Sequence, residues 1–230
     1  MPPSPSSSGG ESRGSVSSTT AGAAVAGATL VAVFGPLVGV SPAWIAVGIG
    51  GLLVGLTVDA SQWQGLGGHL LAESLPGGRA RLRRIACHEA GHLLLARENE
   101  LPVQRVLVGT KACLQAGVRS NGATEFEIPT SVRMSLEDLR RWSRVLQAGI
   151  AAESLVYGSA RGGADDRALL GRLWGLSGHD VDTAQREQRR ARREVEQWLR
   201  KQQSELEQLA DQLLSQLSFQ PPESCQQPEL

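Results

Sequence analysis

From Gly14 to Val58 the sequence contains no charged residue. Cysteine is scarce as well: Cys87, Cys113 and Cys225 are widely spaced, odd in number and in no metal-ligand pattern. That excludes a disulfide framework and points to a reducing compartment. Net charge is zero, so no global field draws the chain to nucleic acid. No GxxxxGK[ST] phosphate loop occurs in the 230 residues, which removes nucleotide hydrolysis of that type. With four histidines and few cysteines, any metal chemistry falls to histidines and carboxylates.

The uncharged run is where organisation begins. Residues 1–20 are Ser, Gly and Pro with almost nothing to bury, which predicts a disordered tail. Glu11 and a single Arg13 fit a transit peptide poorly. From Ala21 the composition is Ala, Val, Leu and Gly, interrupted at Pro36 and at Ser41-Pro42. Spans of about 17 to 20 apolar residues suffice to cross a bilayer, so a transmembrane hairpin over 21–58 is expected, Ala21–Val40 and Ala43–Val58. The GxxxG spacings Gly35/Gly39 and Gly51/Gly55 would let the two helices approach closely. Arg79, Arg81, Arg83 and Arg84 follow the second span, which by the positive-inside rule puts the C-terminal domain on the cytoplasmic side, or the organellar stromal or matrix side. Residues 59–79 read as a linker, 80–218 as a domain and 219–230 as a C-terminal tail.

Within the domain, Arg81–Glu98 reads as a helix stopped by Pro102. Val103–Val108 alternates like a strand, with Ala116–Val118 as its expected partner in a two-stranded ribbon. Ser135 with Asp138 has capping-box spacing and opens a long helix, with Gly158 as its C-cap. GSARGGADD leads into a helix over Ala164–Trp174, and a final helix over Val181–Leu217 carries Leu199, Leu206 and Leu213 seven apart, with Leu209 and Leu217 beside them. The fold class is therefore mainly α. Arg186, Arg189, Arg190, Arg192 and Arg193 interleave with Glu187, Glu194 and Glu196 and lack aromatic neighbours that would stack on bases, so they read as a solvated helix face and no nucleic acid partner is expected.

Residues 87–96 read CHEAGHLLLA. On a helix, positions four apart share a face, so His88 and His92 can aim imidazole nitrogens at one ion. Glu89 is then placed to accept a proton from an ion-activated water. A catalytic zinc needs a third protein ligand and an open position. No third histidine follows six residues after His92; His69 stands beside the membrane segment and His179 in a Gly-Ser-rich turn, both expected to face solvent. Carboxylates are left.

HEAGH followed by LQAGIAAESLVYG and then GGADD resembles, in order and over about Arg81 to Leu217, the peptidase domain of the FtsH-type membrane-bound zinc metalloproteases. The resemblance implies an FtsH-peptidase-like helical array, zinc held by His88, His92 and Asp166, and Glu89 as the general base. Where the family pattern has Asn and Arg, this sequence has Asp165 and Ile150. Glu153 reads as an outer partner holding a histidine or the helix pair, or as a packing residue. The implied activity is a membrane-anchored zinc metalloendopeptidase acting on flexible or unfolded protein segments without an ATPase module of its own, with membrane lipid around its anchor. It would work as a homo-oligomer or beside a separate ATPase partner. The competing expectation is a catalytically idle membrane scaffold or regulatory subunit of such proteases.

Overall fold

The protein is described by a computed structural model covering residues 15–62, 65–127 and 133–219. The chain divides into two compact units, 1–61 and 62–230.

In the first unit, α1 (Ser15–Phe34) is followed by a short 3-10 turn (Pro36–Val38) and α2 (Pro42–Gln62). The expected tail over 1–20 thus ends sooner, because helix begins at Ser15; residues 1–14 lie outside the described part. The first span is also shorter than Ala21–Val40. Pro36 has no amide hydrogen and its ring opposes continued helix, so α1 stops at Phe34, and Gly39 reverses the chain at φ 83°. Among the described residues α2 alone is long and apolar enough to cross a membrane, and α1 contributes the shorter apolar stretch Val25–Phe34. The close approach in this unit is at Gly35, where a Cβ would come within 2.6 Å of Ile45 Cδ1. Of the glycines in the two GxxxG spacings, Gly35 makes this approach, while Gly39, Gly51 and Gly55 have no neighbour within 4 Å.

The second unit is built around α4 (Gly78–Glu98), preceded by α3 (Leu66–Ser74). α4 is buried without a break from Ala86 to Ala96, because α6 (Leu136–Tyr157), α9 (Gln203–Gln216) and strand β1 (Val103–Val108) surround it. Gly91 marks where α4 and α6 cross: a Cβ there would lie 2.7 Å from the Ala148 carbonyl oxygen and 2.8 Å from the Ala152 Cβ. α6 starts at Ser135, whose side chain accepts from the Asp138 amide at 3.1 Å, and ends at Gly158 with φ 73°, as its sequence signals require. After α7 (Ala164–Leu176) comes α8 (Val181–Lys201). Leu139, Trp142, Leu146, Leu170, Leu173 and Trp174 form a second core patch joining α6 to α7. The indole of Trp174 donates to Ser143 Oγ at 3.0 Å and fixes that junction.

Three sequence expectations need correction. The partner of β1 is β2 (Gly122–Phe126), paired antiparallel with Val106 opposite Thr124, and not Ala116–Val118. Residues Thr110–Gln115 form the short helix α5, and 116–118 are spent closing it, with Gly117 at φ 78° and the Val118 amide bonded to the Cys113 carbonyl. The sheet also gains a third, two-residue strand, β3 (Ser218–Phe219), in the order β2-β1-β3; of the expected tail over 219–230, only Phe219 is described, and it belongs to this strand. Finally, the helix expected over Val181–Leu217 is two helices, broken at Gln202. α8 lies along α6 while α9 lies along α4, so the chain must turn to serve both. Leu199, Leu206, Leu209 and Leu213 are buried as expected, whereas Leu217 is exposed with φ 58° and accepts a hydrogen bond from the Val108 amide.

Candidate metal centre

His88 and His92 face α6 on adjacent turns of α4, and their rings lie 4.8 Å apart in an edge-to-face arrangement. Gly149 on α6 makes room for them, since a Cβ there would stand 2.6 Å from His92 Nε2 and nearer still to His88. The His92 Nδ1–H donates to the Val145 carbonyl at 2.8 Å, and the His88 Nδ1–H to Glu153 Oε1 at the same distance. Both rings are thereby oriented with Nε2 toward one point. Fixing the outer nitrogen of a ligand histidine in this way sets the tautomer that leaves the inner lone pair free.

Asp166 reaches that point from α7. Its Oδ2 is 3.0 Å from His88 Nε2 and 3.3 Å from His92 Nε2. Gly163, at φ 88°, starts the helix, and a Cβ on it would press on Ile150 Cδ1 at 2.6 Å. Gly162 is equally confined, 2.8 Å from Glu153 Oε1 by the same measure. The two glycines thus let the loop lie against α6 closely enough to deliver the carboxylate. Asp165, one residue earlier, is exposed. Ligands sharing one tetrahedral ion at about 2.0–2.1 Å stand roughly 3.3 Å from each other, so the separations observed suit a shared ion. His88, His92 and Asp166, whose ligand atoms all lie within 4.8 Å of one another, can hold a metal ion.

Around this triad the polar groups are paired. Glu153, 3% exposed, accepts from His88, from Arg84 Nε at 2.7 Å and from the Arg161 and Gly162 amides at 2.9 and 3.1 Å. Burial alone would raise its pKa, but these bonds, that from His88 foremost, outweigh it and hold the carboxyl down at about 2. His88 shows the converse: burial opposes its protonation, yet hydrogen bonds to Asp166 and Glu153 push it up to about 10. Asp166 is held far below the usual carboxylate range by the two imidazoles, against its own burial.

Glu89 is 5% exposed and faces the sheet, where Thr124 Oγ1 on β2 donates to its Oε2 at 2.8 Å. Its Oε1 lies against Gly122, at which a Cβ would come within 2.7 Å. Burial is the largest influence on this carboxyl and raises its pKa. No family model matches the chain, and no curated protein matches it. What the site can do follows from its own chemistry.

Sequence reasoning did not find Gly149, Val145, Thr124 or Arg84. Only the small-residue string AGIAAE on α6 hints at the first; the others depend on tertiary contact. His69 and His179 stand outside the triad, and both are half-buried: His69 contacts Arg81, and the His179 ring meets Trp174 edge-on at 5.5 Å. The arginines of α8 pair along their own helix, Arg190 with Glu194 at 2.8 Å and Arg192 with Glu196 at 2.9 Å.

Proposed function

We propose that the protein is a membrane-anchored zinc metalloendopeptidase of the FtsH-like kind, with α2 as anchor and α1 folded beside it. The observation that carries this reading is the convergence of His88 Nε2, His92 Nε2 and the Asp166 carboxylate next to the buried carboxylate of Glu89. Two imidazoles and one carboxylate are a donor set suited to zinc with a position left open. When bound, the ion would supply Lewis acidity, lowering the pKa of a water and polarising a carbonyl.

The chain's own groups do the rest. Glu89 takes the proton of the attacking water and passes it to the leaving amine. Its raised pKa makes it a better base than an exposed carboxylate, and the Thr124 hydroxyl fixes one oxygen so that the other is free to move the proton. Gly122 leaves space beside that second oxygen. β2 is one of the two edge strands of the sheet among the described residues. An extended peptide pairing with its open edge would draw its carbonyls past Glu89, and main-chain pairing of this type selects flexible or unfolded segments over folded ones. Energy for unfolding would come from an ATPase outside these 230 residues, which hold no phosphate loop.

The test uses the full-length chain in nanodiscs, with bound metal measured and cleavage of an unfolded protein followed with and without chelator. Stoichiometric zinc, chelator-sensitive cleavage, and a Glu89→Gln variant that keeps zinc but loses hydrolysis by at least about 100-fold are expected. Zinc without cleavage in the unaltered protein would favour the idle scaffold. Loss of zinc together with unfolding in Glu89→Gln would make Glu89 a structural residue.

A further inference from the structure

α3 is pinned on one side and open on the other. Leu66 is buried, and Glu73 accepts from the Thr110 amide at 2.9 Å and from its hydroxyl at 2.7 Å, which locks α3 to the start of α5. One turn apart on the other side, Leu71 is 62% exposed and Leu75 61%. Such leucines, held outward by a half-buried polar anchor, pack against nothing in this unit. Their position along the chain says what covers them. Asp59 is the first charge after the apolar run, α2 continues to Gln62, and α3 starts at Leu66. Helical rise to Gln62 and full extension thereafter allow at most about 20 Å between Asp59 and Leu66. If α2 crosses a bilayer, α3 therefore stays near its surface whatever the orientation of the rest. Charge agrees: Arg79 and Lys111, next along α4 and α5, are exposed, and the one carboxylate on α3 and α5, Glu73, is taken up by Thr110.

We propose that α3 is a lipid-contacting element, with Leu71 and Leu75 entering the boundary between headgroups and acyl chains and Arg79 and Lys111 meeting anionic headgroups. The proposal rests on the reading of α2 as a membrane span. It would hold the second unit at the leaflet, so that juxtamembrane segments of other membrane proteins become its nearest substrates. Two apolar side chains and neighbouring cations are the elements from which interfacial helices obtain their affinity.

Full-length protein carrying Cys225→Ser is reconstituted into vesicles of phosphatidylcholine and phosphatidylglycerol. Single cysteines at Leu71, Leu75, Val54 on α2 and Arg189 on α8 are labelled with an environment-sensitive fluorophore; Cys87 and Cys113 are buried and stay unlabelled. Nitroxide lipids serve as quenchers. The labels at positions 71 and 75 are expected to emit to the blue of the position 189 label and to be quenched at least twofold more by a shallow nitroxide, while the position 54 label responds to a deep one. Quenching at 71 and 75 no greater than at 189, with 54 quenched, would overturn the proposal and leave the anchor standing. Blue emission at 71 and 75 without lipid quenching would mean that protein covers the leucines, and would overturn it too. An unquenched label at 54 would remove the anchor and the proposal together.

Discussion

α4 and α8 are both helices of 21 residues, and they treat charge in opposite ways. α8 buries Ala184, Ala191, Val195 and Leu199, all on one face, leaves its arginines exposed, and keeps its glutamates in partly exposed ion pairs, Glu187 with Arg140 and Glu194 with Arg144 of α6. Every choice along it agrees with the helical period. α4 buries eleven consecutive residues, and His88, Glu89 and His92 are among them. Each ionisable group there requires a partner brought from another element: Glu153 and Val145 from α6, Asp166 from α7, Thr124 from β2. Removing one partner of a buried charged pair costs about 3–5 kcal/mol, far more than an exposed pair is worth. An apolar residue at these positions would serve packing at least as well, so the polar residues of α4 are those the proposed chemistry would require, and those of α8 serve solubility.

The sharpest way to break that comparison is Asp166→Asn. Asp166 is the one triad member from outside α4, and losing its charge removes the carboxylate that faces both Nε2 atoms, leaving only Glu153 on the far nitrogen of His88. Metal affinity is expected to fall by more than the roughly 100-fold that marks the upper end for an outer partner, and activity with it. Asp165→Asn, on an exposed carboxylate one residue away, should change stability by no more than about 0.5 kcal/mol and metal content hardly at all. Titration with a competing chelator measures both. If Asp165 proved the indispensable one, the convergence on Asp166 would not be the metal site.

How far the sequence foretold this depends on distance along the chain. His88 and His92 are legible together because four residues of helix fix their relation, whatever surrounds them. Ser135 and Gly158 are legible because caps are local chemistry. Asp166 lies 78 residues from His88, and what delivers it is the space left by Gly149, Gly162 and Gly163, which shows only when helices are packed. Resemblance to a known family pointed to it; periodicity alone left every carboxylate open. β2 lies beyond 116–118 because 110–115 coils into a short helix, whose closing Gly117 at φ 78° serves a hairpin turn equally well. Its true signal was Glu125, which pairs across the ribbon with Arg105 at 2.6 Å. The break at Gln202 has neither Gly nor Pro; two packing directions impose it, and the leucine repeat runs through it undisturbed.

A middle effect is expected at Glu153→Gln. Gln can still accept from Arg84 and the amides but offers no charge to His88, so metal affinity should drop about 10- to 100-fold. A pH signature separates this from simple misfolding. Glu153 is held at about 2 in the folded protein, whereas an unfolded glutamate titrates near about 4.3. A depressed carboxyl stabilises the fold above its unfolded pKa, and that contribution is lost as pH falls through the folded one. In chelator, the stability deficit of Glu153→Gln against the unaltered protein should stay constant above about pH 5 and shrink as the pH drops toward 2. Urea unfolding across that range checks it, and a deficit that did not change with pH would assign Glu153 to packing alone.

The smallest effect belongs to α8. Arg192 and Glu196 pair at i and i+4 with side chains 46% and 33% exposed, so water and salt already screen most of their attraction. Pairs of this kind contribute about 0.3–0.5 kcal/mol, which for a domain of this size moves Tm by roughly 1–2 °C. Arg192→Gln should therefore lower Tm by that little, keep metal content and cleavage unchanged, and lose even this difference in 1 M salt, where the screening length is about 3 Å. The same test on Glu153→Gln should show a deficit that salt leaves largely in place, because its partners are buried with it. Should Arg192→Gln cost as much as Glu153→Gln, or respond to salt in the same way, charge on α8 would be as deeply engaged as charge beside α4, and the division of the two helices into solubility and chemistry would fail.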